Sequence, residues 1–370
     1  MFRFRTWALL SAALLFLVAC GGADDGNADG DTSDLPEGSR EVVVLTHDSF
    51  DVSTDVLDLF EETHDITVRL VPLGDAGTVL NQAILTRDAP QGDILFGVDN
   101  TFLTRALDAD LFDPFLPANF ASVNPAVLDD LAAWAEANQT SLDLPPVVPV
   151  TYGDVCVNYD KAWFDAEGLP VPTGFDDLID PAYAGLLAIQ NPATSSPGLA
   201  FMLAIISAYG EGDGYVSYLE ALQQNDVVVT NGWSQAYYDE FTHAGGGDRP
   251  LVVSYASSPP AEVLFAPDPI DVAPTGVVLD TCFRQVEFAG ILQGAANRAE
   301  AELFLEFLID LPFQEDIPLT MFVFPVNVDA TLPEVFATHA VVPDAPRRFG
   351  LLLDDARDGF LATWSQVMLD

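Results

Sequence analysis

The chain has 370 residues, 49% hydrophobic and 19% charged, which supplies enough apolar material for one or two cores of ordinary domain size and excludes disorder over most of its length. Acidic residues outnumber basic ones 57 to 13, a net charge of −44, so a phosphate backbone would be repelled and nucleic acid is not expected as a partner. Lys161 is the sole lysine; the acidity reads first as a solvated surface, fitting genome composition or a salty habitat as well as function, and second as a field that favours cationic ligands.

In chain order, Arg3 and Arg5 precede an apolar run from Trp7 to Ala19 that is too short to span a membrane as a mature helix, so residues 1–19 read as a secretion signal. The run ends in Leu17-Val18-Ala19-Cys20, which resembles the lipobox of bacterial lipoproteins, where the cysteine is lipidated and becomes the new N-terminus. An ordinary cleaved signal with an incidental cysteine is the alternative. Residues 20–39 are rich in Gly, Asp, Asn and Ser and cannot repay the entropy of ordering, which predicts a flexible acidic tether. Asp25, Asn27, Asp29 and Gly30 mimic the opening of a calcium loop, but Pro36 stands where a bidentate Glu belongs, and the motif is rejected.

From residue 40 a unit recurs: a short aliphatic or β-branched run, a polar loop, then a helical pattern. The runs are Val42 to Leu45, Thr67 to Val71, Ile94 to Phe96, Leu186 to Ile189, Val227 to Val229 and Leu251 to Val253. Six such units predict an α/β fold of mostly parallel strands flanked by helices, with function in the loops at the carboxyl ends of the strands. Ser195-Ser196-Pro197 and Ser257-Ser258-Pro259 each place a hydroxyl at an expected N-cap and a proline at the helix start, a geometry that also presents N–H donors to an anion. Two longer strand-like stretches, Val147 to Tyr159 and Gly276 to Phe288, lack the following helix and read as connections running out to a second lobe and back. Side by side, they would make Cys156 and Cys282 neighbours; a disulfide and two small buried side chains both fit the sequence. Beyond Pro333, the helix-period apolar positions of Phe349 to Trp364 predict a segment packed on the rest.

Catalytic signatures are missing: there is no G-x-S-x-G elbow, H-E-x-x-H, C-x-x-C or Walker-type lysine loop, and Gly210 to Gly214 lacks dinucleotide spacing. His47, His64, His243 and His339 are scattered, so neither a metal site nor catalytic residues are expected.

Read together, the loops resemble those of bacterial thiamine-binding receptors of ABC importers. The resemblance is carried by His47-Asp48-Ser49-Phe50, Gly97-Val98-Asp99-Asn100, Tyr159-Asp160-Lys161, Asn191 to Gly198, Gly232-Trp233-Ser234-Gln235-Ala236-Tyr237, Ser254 to Pro259 and Phe324-Pro325-Val326-Asn327, in the family's order over about residues 40–365. It implies a monomeric two-lobed receptor of the type II periplasmic-binding class, each lobe a mostly parallel sheet flanked by helices. Lobe 1 would take residues 40–150 with 285–330, lobe 2 residues 151–284, and a helical segment of residues 331–370 would pack on them. Such a receptor closes on its ligand and docks on ABC permease subunits; here it would be extracytoplasmic, held at the periplasmic or outer face of the cytoplasmic membrane by a lipid on Cys20. It implies no cofactor; thiamine, thiamine monophosphate or thiamine diphosphate would be the ligand. A cationic thiazolium needs aromatic faces and carboxylates, for which Trp233, Tyr255 and one of Asp48, Asp75 or Asp99 are candidates; Asp99 fits an N-cap equally well. A hydroxyl or phosphate tail needs donors, for which Ser195, Ser196 and a helix start at Gly198 are candidates. Residue by residue, the resemblance implies contacts at Asp75, Ala76, Ser195, Ser196, Trp233, Phe322 and the stretch Tyr255, Ala256, Ser257, Ser258 and Pro259. The chain departs from the family at His47 and Ala261, where aromatics are usual, and at Phe322, where the family has tryptophan.

Two other functions compete. The adjacent Tyr237 and Tyr238 allow a ferric-iron receptor of the same fold, if a helix does not turn them about 100° apart. A secreted enzyme on this scaffold would use His47 or His243 as base beside a serine.

Overall fold

The computed structural model describes residues 40–369. The signal, the lipid-bearing Cys20 and the tether expected over residues 1–39 lie outside the described residues. Ten strands form one hydrogen-bonded sheet there: β1 (Arg40–Thr46), β2 (Ile66–Pro72), β3 (Ile94–Asp99), β4 (Phe112–Asp113), β5 (Val148–Asp160), β6 (Leu187–Gln190), β7 (Val228–Thr230), β8 (Leu251–Tyr255), β9 (Thr275–Leu292) and β10 (Phe324–Pro325). The main path runs β2-β1-β3-β9-β5-β8-β6-β7, with β4 pairing β9 and β10 pairing β5.

Direction changes along that path. At one end β2, β1 and β3 are parallel, and at the other β8, β6 and β7 are parallel; between them β9 and β5 run antiparallel to each other and to their outer neighbours. The separate sheets expected for two lobes are thus joined into one sheet of mixed direction. The reason is length: β5 has 13 residues and β9 has 18, long enough to pair with each other while β9 also pairs β3 at one parallel end and β5 pairs β8 at the other. Parallel strands covered on both faces need continuous apolar runs, and β3 is buried at all six positions.

Each of the six sequence units is a strand followed by a helix, of which the most buried is Ser196–Tyr209 after β6. Its residues 196–206 are buried all round, as expected for a helix inside a core rather than on it. It begins hard against β6: a Cβ on Gly198 would lie 2.6 Å from the Gln190 carbonyl oxygen, so only glycine fits there. Cys156 and Cys282 are joined by a disulfide across β5 and β9, beside a register shift in that pair, and Ala256 packs on the bridge.

The C-terminal apolar pattern becomes helical later than its spacing predicts. Residues 349–353 are not helical, the helix spans Asp354–Met368, and it packs on the helix Asp213–Gln224, with Phe360 edge-on to Tyr215 at 5.7 Å. Just before it, Arg347 exchanges backbone hydrogen bonds with Cys282 and Arg284 of β9, an isolated bridge that ties the chain to the sheet at that point. No helix among the described residues is long and apolar enough to cross a membrane.

Candidate functional site

The carboxyl ends of β1, β2, β6, β7 and β8 converge on a cavity of about 950 Å³, closed from the side by Glu287 of β9 and by residues 320–323. The loop after β1 contributes His47 and Asp48, and the loop after β2 contributes Asp75 and Ala76. Ser196 and Pro197 follow β6, Trp233 and Ser234 follow β7, and Tyr255 and Ser258 end β8. Phe322 closes the wall with a left-handed backbone (φ 54°) and packs edge-on to Phe265 at 5.8 Å. Six carboxylates face the space, those of Asp48, Asp51, Asp75, Glu262, Asp268 and Glu287, and no lysine or arginine does among the described residues.

Asp75 sits where three helix starts meet. As N-cap of Ala76–Leu85 it accepts the Ala76 N–H at 2.7 Å, and it also accepts the N–H groups of Ser196 at 3.3 Å and Trp233 at 3.1 Å. Of the donors expected to hold an anionic tail, the Ser196 N–H is therefore already occupied by a carboxylate of the chain. Burial pushes the Asp75 carboxyl above its usual range, against the Trp233 N–H and the charge of His47, which favour its ionised form. The opposing chain approaches closely, since a Cβ on Gly77 would lie 2.8 Å from the Thr194 carbonyl oxygen.

Asp99 lies behind the cavity wall, fully buried. It accepts from the Thr101 N–H at 2.6 Å, the Thr101 hydroxyl at 2.5 Å and Gln285 Nε2 at 2.6 Å, and it also bonds the Ser196 hydroxyl. Burial raises its pKa to about 7. It is not the N-cap of the next helix, which is Phe102. Ser195, Ala256, Ser257 and Pro259 are buried and do not line the cavity, and Gly198 lies inside its helix rather than at the start. The expected serine caps are also absent: Ser195 and Ser258 make no side-chain cap bond, and Ser258 Oγ instead contacts Ser254 Oγ at 2.8 Å and accepts the Tyr255 N–H. For Ser258 the hydroxyl turns back to the end of β8 instead of capping the helix that follows.

Trp233 stacks on Tyr237, with ring centroids 4.9 Å apart and planes 19° off parallel, and donates its indole N–H to Ser254 Oγ. Tyr255 donates its hydroxyl to Gln285 Oε1. Glu287 and Glu262 of the wall escaped the sequence reading, while Tyr237 and His243 entered it as candidate ligand or base only under the competing functions. Glu287 faces His47, with Nε2 to Oε1 at 3.0 Å, and accepts from the Thr151 hydroxyl at 2.8 Å. Gln285 and Glu287 point the same way from β9, and two polar side chains at period two in an apolar strand were the available signal. Glu262 accepts from the Tyr237 hydroxyl at 2.7 Å and lies 3.2 Å from His243 Nε2; this bond raises the His243 pKa against partial burial.

This geometry bears on both competing functions. Tyr237 and Tyr238 lie on a π-helical turn with their ring planes 84° to one another and the Tyr237 hydroxyl engaged by Glu262, and no cluster of three or more His, Cys, Asp or Glu suited to a metal occurs among the described residues. The Nε2 atoms of His47 and His243 both face carboxylates rather than serine hydroxyls.

Residues 90–345 match the family model described as bacterial extracellular solute-binding protein. The chain belongs to that family. Among relatives of this solute-binding protein, the thiamine-binding periplasmic protein of Salmonella typhimurium is 29% identical over 303 residues, covering 81% of this chain and 84% of that one. A solved structure of a periplasmic thiamin binding protein superposes with a TM-score of 0.76 at 24% identity, covering 92% of this chain and 99% of the other. Iron-bound HitA from Pseudomonas aeruginosa has the same fold, with a TM-score of 0.68 at 16% identity over 89% of this chain and 99% of its own. The expected periplasmic-binding-protein architecture, a large sheet with flanking helices, is thereby shown.

Proposed function

We propose that this solute-binding protein captures thiamine or a thiamine phosphate outside the cytoplasm and delivers it to the permease subunits of an ABC importer. The observation that carries the reading is the cavity wall: aromatic side chains of Trp233, Tyr255 and Phe322 stand among six carboxylates with no lysine or arginine among the described residues, which suits a flat cationic ring. The names of the relatives agree with that chemistry, and the bond from the Tyr237 hydroxyl to Glu262 makes iron the poorer fit.

In this reading the two parallel ends of the sheet act as lobes that close about β5 and β9, trapping ligand between the loops after β1 and β2 and those after β6, β7 and β8. The protein is monomeric and is tethered to the membrane through lipid on Cys20. It binds without turnover. Calorimetric titration with thiamine and its phosphates tests this directly: saturable one-to-one binding without product is expected. Binding of ferric citrate with phenolate-to-iron absorbance, and none of thiamine, would replace this reading with the iron one.

A further inference from the structure

His47 directly follows β1 and enters the cavity wall with both ring nitrogens facing polar groups. Nδ1 accepts the Ser49 N–H at 3.2 Å, Nε2 faces Glu287, and the ring lies 5.6 Å from Phe96. It fits only because residue 97 is glycine: with φ at +100°, a Cβ there would stand 2.5 Å from His47 Cδ2. The ring therefore packs against β3 with Glu287 opposite it. Glu287 in turn is held by Thr151 and lines the cavity itself, so one carboxylate faces both a titratable ring and the ligand space.

We propose, building on the thiamine reading, that His47 is a built-in competitor for a cationic ligand. Protonated, it neutralises Glu287 and disfavours a second cation; neutral, it leaves the carboxylate to the ligand. Capture of a cation by the protonated form then releases one proton to solvent, from Nδ1, while Nε2–H stays on Glu287, so the charge entering the site is matched by the charge leaving it. The groups facing His47 are Glu287 from β9, Asp75 from the loop after β2, Asp48 beside it and the Ser49 N–H. Tyr255 from β8 and Asp99 from β3 share the electrostatic neighbourhood of Glu287. Burial and the Ser49 N–H favour the neutral ring; Glu287, Asp75 and Asp48 outweigh them and hold its pKa above the ordinary histidine value. That places the change of charge where affinity responds to modest shifts in pH.

The test is calorimetric titration of the protein with thiamine between about pH 5.5 and 8, in paired buffers of different ionisation enthalpy, beside a neutral isostere with a thiophene in place of the thiazolium. Wild-type affinity for thiamine is expected to rise about three- to tenfold for each unit by which pH increases across the acid end of that range, with proton release visible as a buffer-dependent enthalpy. The neutral isostere, with the same aminopyrimidine, should show neither. H47Q should bind thiamine with the pH dependence and the proton release both lost. Affinity that is flat with pH in wild type, or a dependence that persists in H47Q, overturns the proposal while leaving the thiamine reading intact. No thiamine binding at any pH overturns both.

Discussion

Asp75 is the residue on which tail selectivity turns. Its carboxylate already satisfies the N–H groups of Ser196 and Trp233, so a phosphate reaching those donors must displace or repel it. Asp75→Asn keeps the shape and removes the charge. We expect it to shift preference from thiamine towards thiamine monophosphate by about tenfold, or ~1.4 kcal/mol, measured as the ratio of the two Kd values; an unchanged ratio would sink the assignment. Asp99 makes a different prediction. An acid whose folded pKa is raised to about 7 binds its proton more tightly in the folded state than in the unfolded one, so its contribution to stability grows as pH falls from about 7 towards its ordinary range near 4 and is lost as pH rises through 7. The slope is on the order of 1 kcal/mol per pH unit. Unfolding free energies of wild type and Asp99→Asn over that window should diverge accordingly, and parallel curves would mean that Asp99 stays ionised in the folded protein.

At the scale of elements, the close meeting of the helix Ala76–Leu85 with the loop before Ser196–Tyr209 makes Gly77 a sensor of closure. Alanine at 77 favours the helix locally by ~1 kcal/mol, yet its Cβ would press on the Thr194 carbonyl 2.8 Å away. Gly77→Ala should therefore weaken ligand about tenfold while leaving the ligand-free Tm within a few degrees; a collapse in Tm with affinity intact would show that the contact matters for folding rather than capture. The same elements show what sequence could reveal. All six strand-and-loop units were legible because strands buried on both faces write themselves as unbroken apolar runs; position pointed to the loops after them, and the family resemblance singled out Asp75, Trp233 and Tyr255, which line the cavity. The two-residue strands β4 and β10 were not, since two residues carry no period. Ser195 and Ser258 satisfy a local capping rule, but which partner a hydroxyl takes is decided by groups distant in sequence or by the fold of the turn, and Ser258 takes Ser254. Glu287 was hidden for a related reason: only the pairing of β9 with β3 and β5 brings it opposite His47.

Over the whole molecule, β5 and β9 join everything to everything else, and the disulfide sits between them. Cys156 and Cys282 are 126 residues apart in sequence, so the bridge removes a large loop-closure entropy from the unfolded chain. Reduction, or Cys156→Ser with Cys282→Ser, should cost about 2–5 kcal/mol of stability, read as a fall in the denaturant midpoint without a change in fold; an unaltered midpoint would mean the bridge constrains little. The bridge also divides the chain mechanically. Residues 157–281, which carry β6, β7, β8 and the helix starts at Ser196 and Trp233, form a covalent ring that hangs from the backbone at one point. Pulled at Arg40 and Leu369, the oxidised protein can lengthen only through the residues outside that ring, and its full extension falls short of the reduced chain's by roughly 440 Å, at about 3.5 Å for each of the 126 steps. Tension on the chain ends thus bypasses the half of the cavity built from β6, β7 and β8.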